Sequence, residues 1–165
     1  MKLSTKGRYA VMAMVDLAIQ GESKPVALAD IAERQDISLN YLEQLFSLLR
    51  KGGQVKSIRG PRGGYVLIRR PSEMRISEII LAVNEPIKAT RCKPGTLKGC
   101  RNDNSRCLTH DLWEELGNQI FLFLSSISLG DVIENRLPGM GGGFCINNSI
   151  IKSGENSALG SNENL

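Results

Sequence analysis

Four residues of this 165-residue chain bring metal-donor chemistry into one short stretch: Cys92, Cys100, Cys107 and His110, spaced C-x7-C-x6-C-x2-H. His110 is the only histidine in the chain, and three of its four cysteines stand in this run. Three thiolates and an imidazole are the donor set of a tetrahedral metal site or of a [2Fe–2S] cluster. Structural zinc sites usually open on a C-x2–4-C pair, so gaps of seven and six residues are wide for zinc. A cluster spreads its ligands over two irons and tolerates longer spacers, although four-thiolate ferredoxin spacing does not match. A buried dithiol set, or chance clustering with His110 as a surface residue at a helix start, needs no metal. Cys145, further along, has no counterpart in the pattern.

A second group has the chemistry to read a nucleic acid. Asn40, Tyr41, Glu43 and Gln44 stand together in LNYLEQLFSLLRKGG, and Arg59, Gly60, Pro61 and Arg62 stand together in SIRGPRGGYV. Asn and Gln side chains pair with adenine, and Glu accepts from the cytosine amino group. A carboxylate repels phosphate, so Glu43 acts on selectivity more than on affinity; a capping or salt-bridge role is its alternative. The arginines suit a flanking minor groove or its phosphates, with Gly60, Gly63 and Gly64 letting backbone approach closely. Lys2, Lys6, Arg8 and Lys56 are further candidate phosphate contacts.

These residues need elements to hold them. Lys6 to Gln20 carries a broad apolar helical face and stops at Gly21. VALADIAERQ is a short helix, and DIS is a three-residue break containing Ile37. Ser38 then caps a helix with an inner stripe of Leu42, Leu45, Phe46 and Leu49, which Gly52 and Gly53 end. Two helices joined by a tight turn make a helix-turn-helix. QVKSIRG and YVLIRR, joined by PRGG, add a β-hairpin wing, and SEMRISEIILAVNEPI adds a helix packed beneath it. Residues 88–108 lack periodicity and need something to organise them. Thr109 caps the helix HDLWEELGNQIFLFLSS, which is apolar almost all round and calls for a second subunit; a hairpin with the first helix is the rival arrangement. Ser128 and Asp131 form a capping box for DVIENRL. Residues 138–165 are rich in Gly, Asn and Ser and are expected to be disordered.

Composition agrees. Residues 1–71 hold 12 Lys+Arg and 6 Asp+Glu, and residues 72–165 hold 9 and 11, so the net charge of +4 is a basic module joined to a mildly acidic one. Lys6, Arg8 and Asp16 interrupt the N-terminal apolar run as no signal peptide would allow, and no window is long and apolar enough for a membrane span. A reducing, cytoplasmic setting is the expectation. No CxxC occurs, and the glycines of PRGG lie in a hairpin rather than before a helix, so neither a thiol redox enzyme nor a nucleotide enzyme is indicated. The expected fold class is mainly α with a small β-hairpin wing: a winged helix-turn-helix plus a long C-terminal dimerisation helix. The expected domains are a DNA-binding unit at 1–87, a ligand loop at 88–110, a dimerisation helix and short following helix at 109–137, and the tail.

KGRYAVMAMVDLA, LADIAERQDISLNYLEQLFSLLRKGGQVKSIRGPRGGYVL, ATRC…C…CLTHDLW and SLGDV resemble the Rrf2 family of winged helix-turn-helix regulators, over about residues 1–137. The similarity is greatest to the branch that regulates iron–sulfur cluster assembly. This resemblance implies a cytoplasmic homodimer that binds palindromic double-stranded DNA. It implies a [2Fe–2S] cluster on Cys92, Cys100, Cys107 and His110; zinc remains the alternative from the donor set itself. It also implies that the cluster-bound form represses cluster-assembly genes while the cluster-free form acts on a second class of promoters. Glu43 matches the residue that discriminates between those site classes, and Arg59 matches the wing arginine. Cluster-assembly scaffold proteins would be further partners. The chain departs from the pattern in its cysteine gaps, two and one residues longer than in that branch, and in Asn40, where serine is common.

Overall fold

The computed structural model describes residues 4–21, 24–87 and 105–138. Cys92, Cys100, Cys145, Lys2 and the tail after Pro138 lie outside these residues.

Helix α1 runs Thr5–Gln20. The Ser4 side chain accepts from the Lys6 N–H at its start, and the Gly21 N–H returns to the Leu17 carbonyl at its end. Ala10, Ala13, Met14 and Leu17 recur at helical spacing and are buried, so α1 is the spine against which the other elements pack. Helix α2, Leu28–Gln35, ends on Asp36 in the left-handed region (φ 51°). That reversal, with Ile37 buried beneath it, is the tight turn into α3, Leu39–Lys51. The predicted stripe of Leu42, Leu45, Phe46 and Leu49 is buried. Ser38 occupies the cap position, but its side chain makes no capping hydrogen bond, a correction to the expected cap.

Strands β1 (Val55–Ile58) and β2 (Gly64–Leu67) pair antiparallel, with Val55 opposite Leu67 and Ile58 opposite Gly64. A contact that the sequence did not suggest completes the wing: Val26, just before α2, exchanges both backbone hydrogen bonds with Tyr65, at 3.0 and 2.8 Å. The Tyr65 ring meets Phe46 of α3 edge-on with centroids 4.9 Å apart. The wing is thus joined to both helices of the helix-turn-helix.

A single 3₁₀ turn, Pro71–Glu73, leads into α4, Ile76–Ala82. The structure corrects the placing of α4. It packs chiefly on α1, α5 and α3 rather than beneath the wing, with Ile76, Ile79 and Ile80 buried and Ile80 set against Gly7 of α1. Helix α5, His110–Ser126, follows, and Ser128 with Asp131 forms the predicted capping box of α6, Leu129–Ile133. Thr109 makes no capping bond; its Oγ1 accepts from Trp113 Nε1 at 3.1 Å instead. The main intramolecular partner of α5 is α4, not α1, so the rival hairpin with α1 is not the arrangement adopted. Leu112, Leu122 and Phe123 remain 61%, 58% and 50% exposed on α5. Among the described residues no helix is long and apolar enough to cross a membrane.

Candidate nucleic-acid interface and metal-binding residues

Burying the Leu42–Leu49 stripe turns the opposite face of α3 outward, which leaves Asn40, Glu43 and Gln44 exposed at its first turns. Gln44 Nε2 donates to Asn40 Oδ1 at 3.4 Å, so the Asn40 amide hydrogens and the Gln44 carbonyl remain directed elsewhere. Tyr41 does not join them as expected. It lies on the flank of the stripe, half-buried, with its ring edge-on to Tyr9 of α1 at 6.0 Å.

Lys56, Arg59, Gly60, Pro61 and Arg62 are all exposed, and among the described residues the three cations form no ion pair. The wing therefore offers unneutralised charge to a polyanion. Its glycines divide by role. Gly60 takes φ +122° in open space, a conformation that suits glycine at a tip. Gly63 and Gly64 serve the hairpin itself: added Cβ atoms would fall 2.4 Å from the Ile58 and Val26 carbonyl oxygens respectively. This corrects the expectation that all three glycines admit an outside surface.

Sequence reasoning passed over Asp16, noted only as an interruption of the apolar run. It is 5% exposed and accepts from Arg34 Nη2 at 2.6 Å, from Arg34 Nε at 3.0 and 3.2 Å, and from Gln35 Nε2 at 2.7 Å. The carboxylate holds the guanidinium firmly protonated, chiefly through these hydrogen bonds, and ties α2 to α1. A lone acid on an apolar helix face, with Arg and Gln adjacent one helix later, was the available signal.

Of the donor set, Cys107 and His110 lie among the described residues, His110 as the first residue of α5 and Cys107 three residues before it. The His110 N–H donates to the Cys107 carbonyl at 3.0 Å, and Cys107 Sγ lies 3.8 Å from Thr109 Oγ1. His110 is 2% exposed, which overturns its reading as a surface residue. Its Nε2 stands 3.6 Å from Glu114 Oε2, while its buried Nδ1 has no hydrogen-bond partner among the described residues. A buried imidazole nitrogen without a partner is costly unless something binds it. A carboxylate beside one ring nitrogen, with the other left to ligate, is a common arrangement of metal-bound histidine. The two residues fit a metal or cluster; Cys92 and Cys100, the other proposed donors, lie outside the described residues.

Comparison with known proteins agrees with this architecture. The family model Rrf2, described as an iron-dependent transcriptional regulator, matches residues 3–135. The HTH-type transcriptional regulator IscR of Photorhabdus laumondii is 54% identical over 136 residues, 82% of this chain and 81% of that protein. The solved structure of T. potens IscR superposes with a TM-score of 0.66 at 38% identity, covering 86% of this chain and 93% of that one. The structure of CymR, the global cysteine regulator of B. subtilis, gives a TM-score of 0.68 at 34% identity over 82% of this chain and 98% of that one.

Proposed function

The chain belongs to the Rrf2 family of DNA-binding transcriptional regulators, a non-enzymatic class, and from that premise we propose that it is a cytoplasmic homodimer that senses iron–sulfur status and represses cluster-assembly genes. The observation that carries the sensing part is the buried His110 with its unpartnered Nδ1 at the start of α5. Cys92, Cys100, Cys107 and His110 would hold a [2Fe–2S] cluster. The iron-dependent character of the family favours an iron group over zinc. When bound, such a cluster supplies a redox-active, oxygen-labile centre whose presence reports cluster supply.

The residues of the chain divide the work. Cys107 and His110 offer donors held on either side of the start of α5 by the His110 N–H to Cys107 carbonyl bond, and Glu114 orients the imidazole. Asn40, Glu43 and Gln44 of α3 would read base edges in a major groove, while Arg59, Arg62 and Lys56 engage the backbone or a flanking minor groove. The exposed apolar face of α5 would pair with a second copy, which places two recognition helices on a palindrome.

Anaerobic reconstitution with iron and sulfide, followed by visible absorption and iron and acid-labile sulfide assay, tests the metal reading. Wild type should bind iron and sulfide in equal amounts, and Cys107→Ala and His110→Ala should lose most of both. Zinc in anaerobically purified protein, with no sulfide uptake on reconstitution, would favour the zinc alternative.

A further inference from the structure

At the start of α4, two neighbouring residues bond in opposite directions. Ser77, 4% exposed, accepts the Ser125 hydroxyl of α5 at 2.9 Å. Glu78 accepts from Arg69 Nη2 at 2.5 Å, and the same guanidinium nitrogen donates to Gln54 Oε1 at 3.3 Å. Gln54 is buried at the root of the wing. Its N–H donates to the Leu49 carbonyl of α3 at 2.9 Å, its carbonyl accepts from the Ile68 N–H at 3.2 Å, and its side-chain amide donates to the Gly52 carbonyl at 3.1 Å. Two polar contacts, joined only through the backbone of the first turn of α4, therefore tie α5 on one side and the point where α3 ends and the wing begins on the other.

Backbone pairing stiffens the same junction. The Ile76 N–H donates to the Ile127 carbonyl at 3.0 Å, and the Leu129 N–H donates to the Met74 carbonyl at 2.8 Å. Arg75 Nη1 adds a bond to the Ser126 carbonyl at 3.1 Å. The end of α5 is thus stitched to the segment that leaves the wing.

We propose that the first turn of α4 is the joint that sets the angle of the wing to α5, with Ser77, Glu78, Arg69 and Gln54 as positioning residues for DNA binding. Since α5 begins at His110, the joint also carries the state of the metal site to the wing; this clause rests on the proposed function.

The sign of one substitution separates positioning from simple electrostatics. Removing the negative Glu78 from a basic wing root should tighten DNA binding if only charge matters. If Glu78 positions the wing, its removal weakens binding. The test uses full-length, cluster-free Glu78→Ala and a duplex selected by the wild-type chain from a random pool, at one fixed salt concentration. Affinity should fall about threefold, the effect of losing a half-exposed ion pair. On an Arg59→Ala background, where the wing tip has lost one of its two arginines, Glu78→Ala should cause a smaller further loss. Tighter binding, or an equal loss on both backgrounds, overturns the proposal. Ser77→Ala removes only a hydroxyl and gives the same comparison should Glu78→Ala fail to fold. Hydrogen exchange supplies a second reading: the amides of β1 and β2 should exchange faster in either variant while those of α1 do not, and unchanged wing exchange overturns it.

For the sensing clause, Ser77→Ala should shrink the difference in DNA affinity between cluster-loaded and cluster-free protein. A difference that persists unchanged overturns that clause. A wild type with no such difference overturns the proposed function instead, and the joint then stands or falls on the Arg59→Ala comparison.

Discussion

Single residues set the chemistry of the proposed DNA surface. Arg59 sits at an exposed wing tip with no ion pair among the described residues, so its charge is available to DNA. Arg59→Ala should weaken binding by about 1–3 kcal/mol, read by titration at fixed salt. Glu43 faces outward without helping phosphate attraction. Glu43→Ala should leave affinity for a preferred duplex little changed while broadening the set of duplexes bound, as measured by selection from a random pool. Asp16 works inward. Asp16→Ala removes the acceptor of four hydrogen bonds, but Arg34 is 36% exposed and can turn to water, so the cost should be about 1–3 kcal/mol in chemical denaturation. The outward exposure of Asn40, Glu43, Gln44 and the wing arginines was legible from their placement on a helix and a turn; Cys107 and His110 remain proposed donors. That His110 is buried, and that Tyr41 turns back on Tyr9, depends on which distant helix lies alongside.

Elements follow from short-range signals. The stripe of α3, the stop of α1 at Gly21 and the PRGG hairpin all rest on residues within a turn or two of one another, which is why they read correctly. The Val26–Tyr65 pairing does not, since one bridging residue leaves no period to detect. The capping box of α6 is local and was legible. It also titrates. The Ser128 hydroxyl and backbone N–H hold the Asp131 carboxyl below its ordinary range, with Arg136 adding to the effect. A carboxyl depressed in the folded state stabilises fully above its unfolded pKa, and that contribution disappears as pH falls through the folded value. The melting temperatures of wild type and Asp131→Asn should therefore differ at neutral pH and converge as pH drops below the ordinary aspartate range. A constant gap across that window would remove the box from the account.

At the scale of the whole molecule, α5 is left with an apolar face that the described chain does not cover. Leu112, Leu122 and Phe123 on a 17-residue helix form a surface that water disfavours, and a second copy is the proposed cover. Leu122→Glu should shift the protein towards monomer in sedimentation and abolish preference for palindromes over single half-sites, while helical content is kept. Retained dimer would place the interface elsewhere. The joint at α4 belongs to this scale as well, because it links the element that begins with His110 to the element that carries Arg59.

The sequence by itself determined the kinds of element and the basic module with its helix-turn-helix and wing, because periodicity, turn chemistry and charge are written over neighbouring residues. Only the tertiary structure decided that α4 docks on α1 rather than under the wing, that Gly64 is required by the Val26 carbonyl, and that Ser77 and Ser125 meet across 48 positions. Each of those outcomes depends on which remote segments come to share space. That is settled by the burial of apolar faces and the satisfaction of buried polar groups across the whole fold, and no local pattern encodes it.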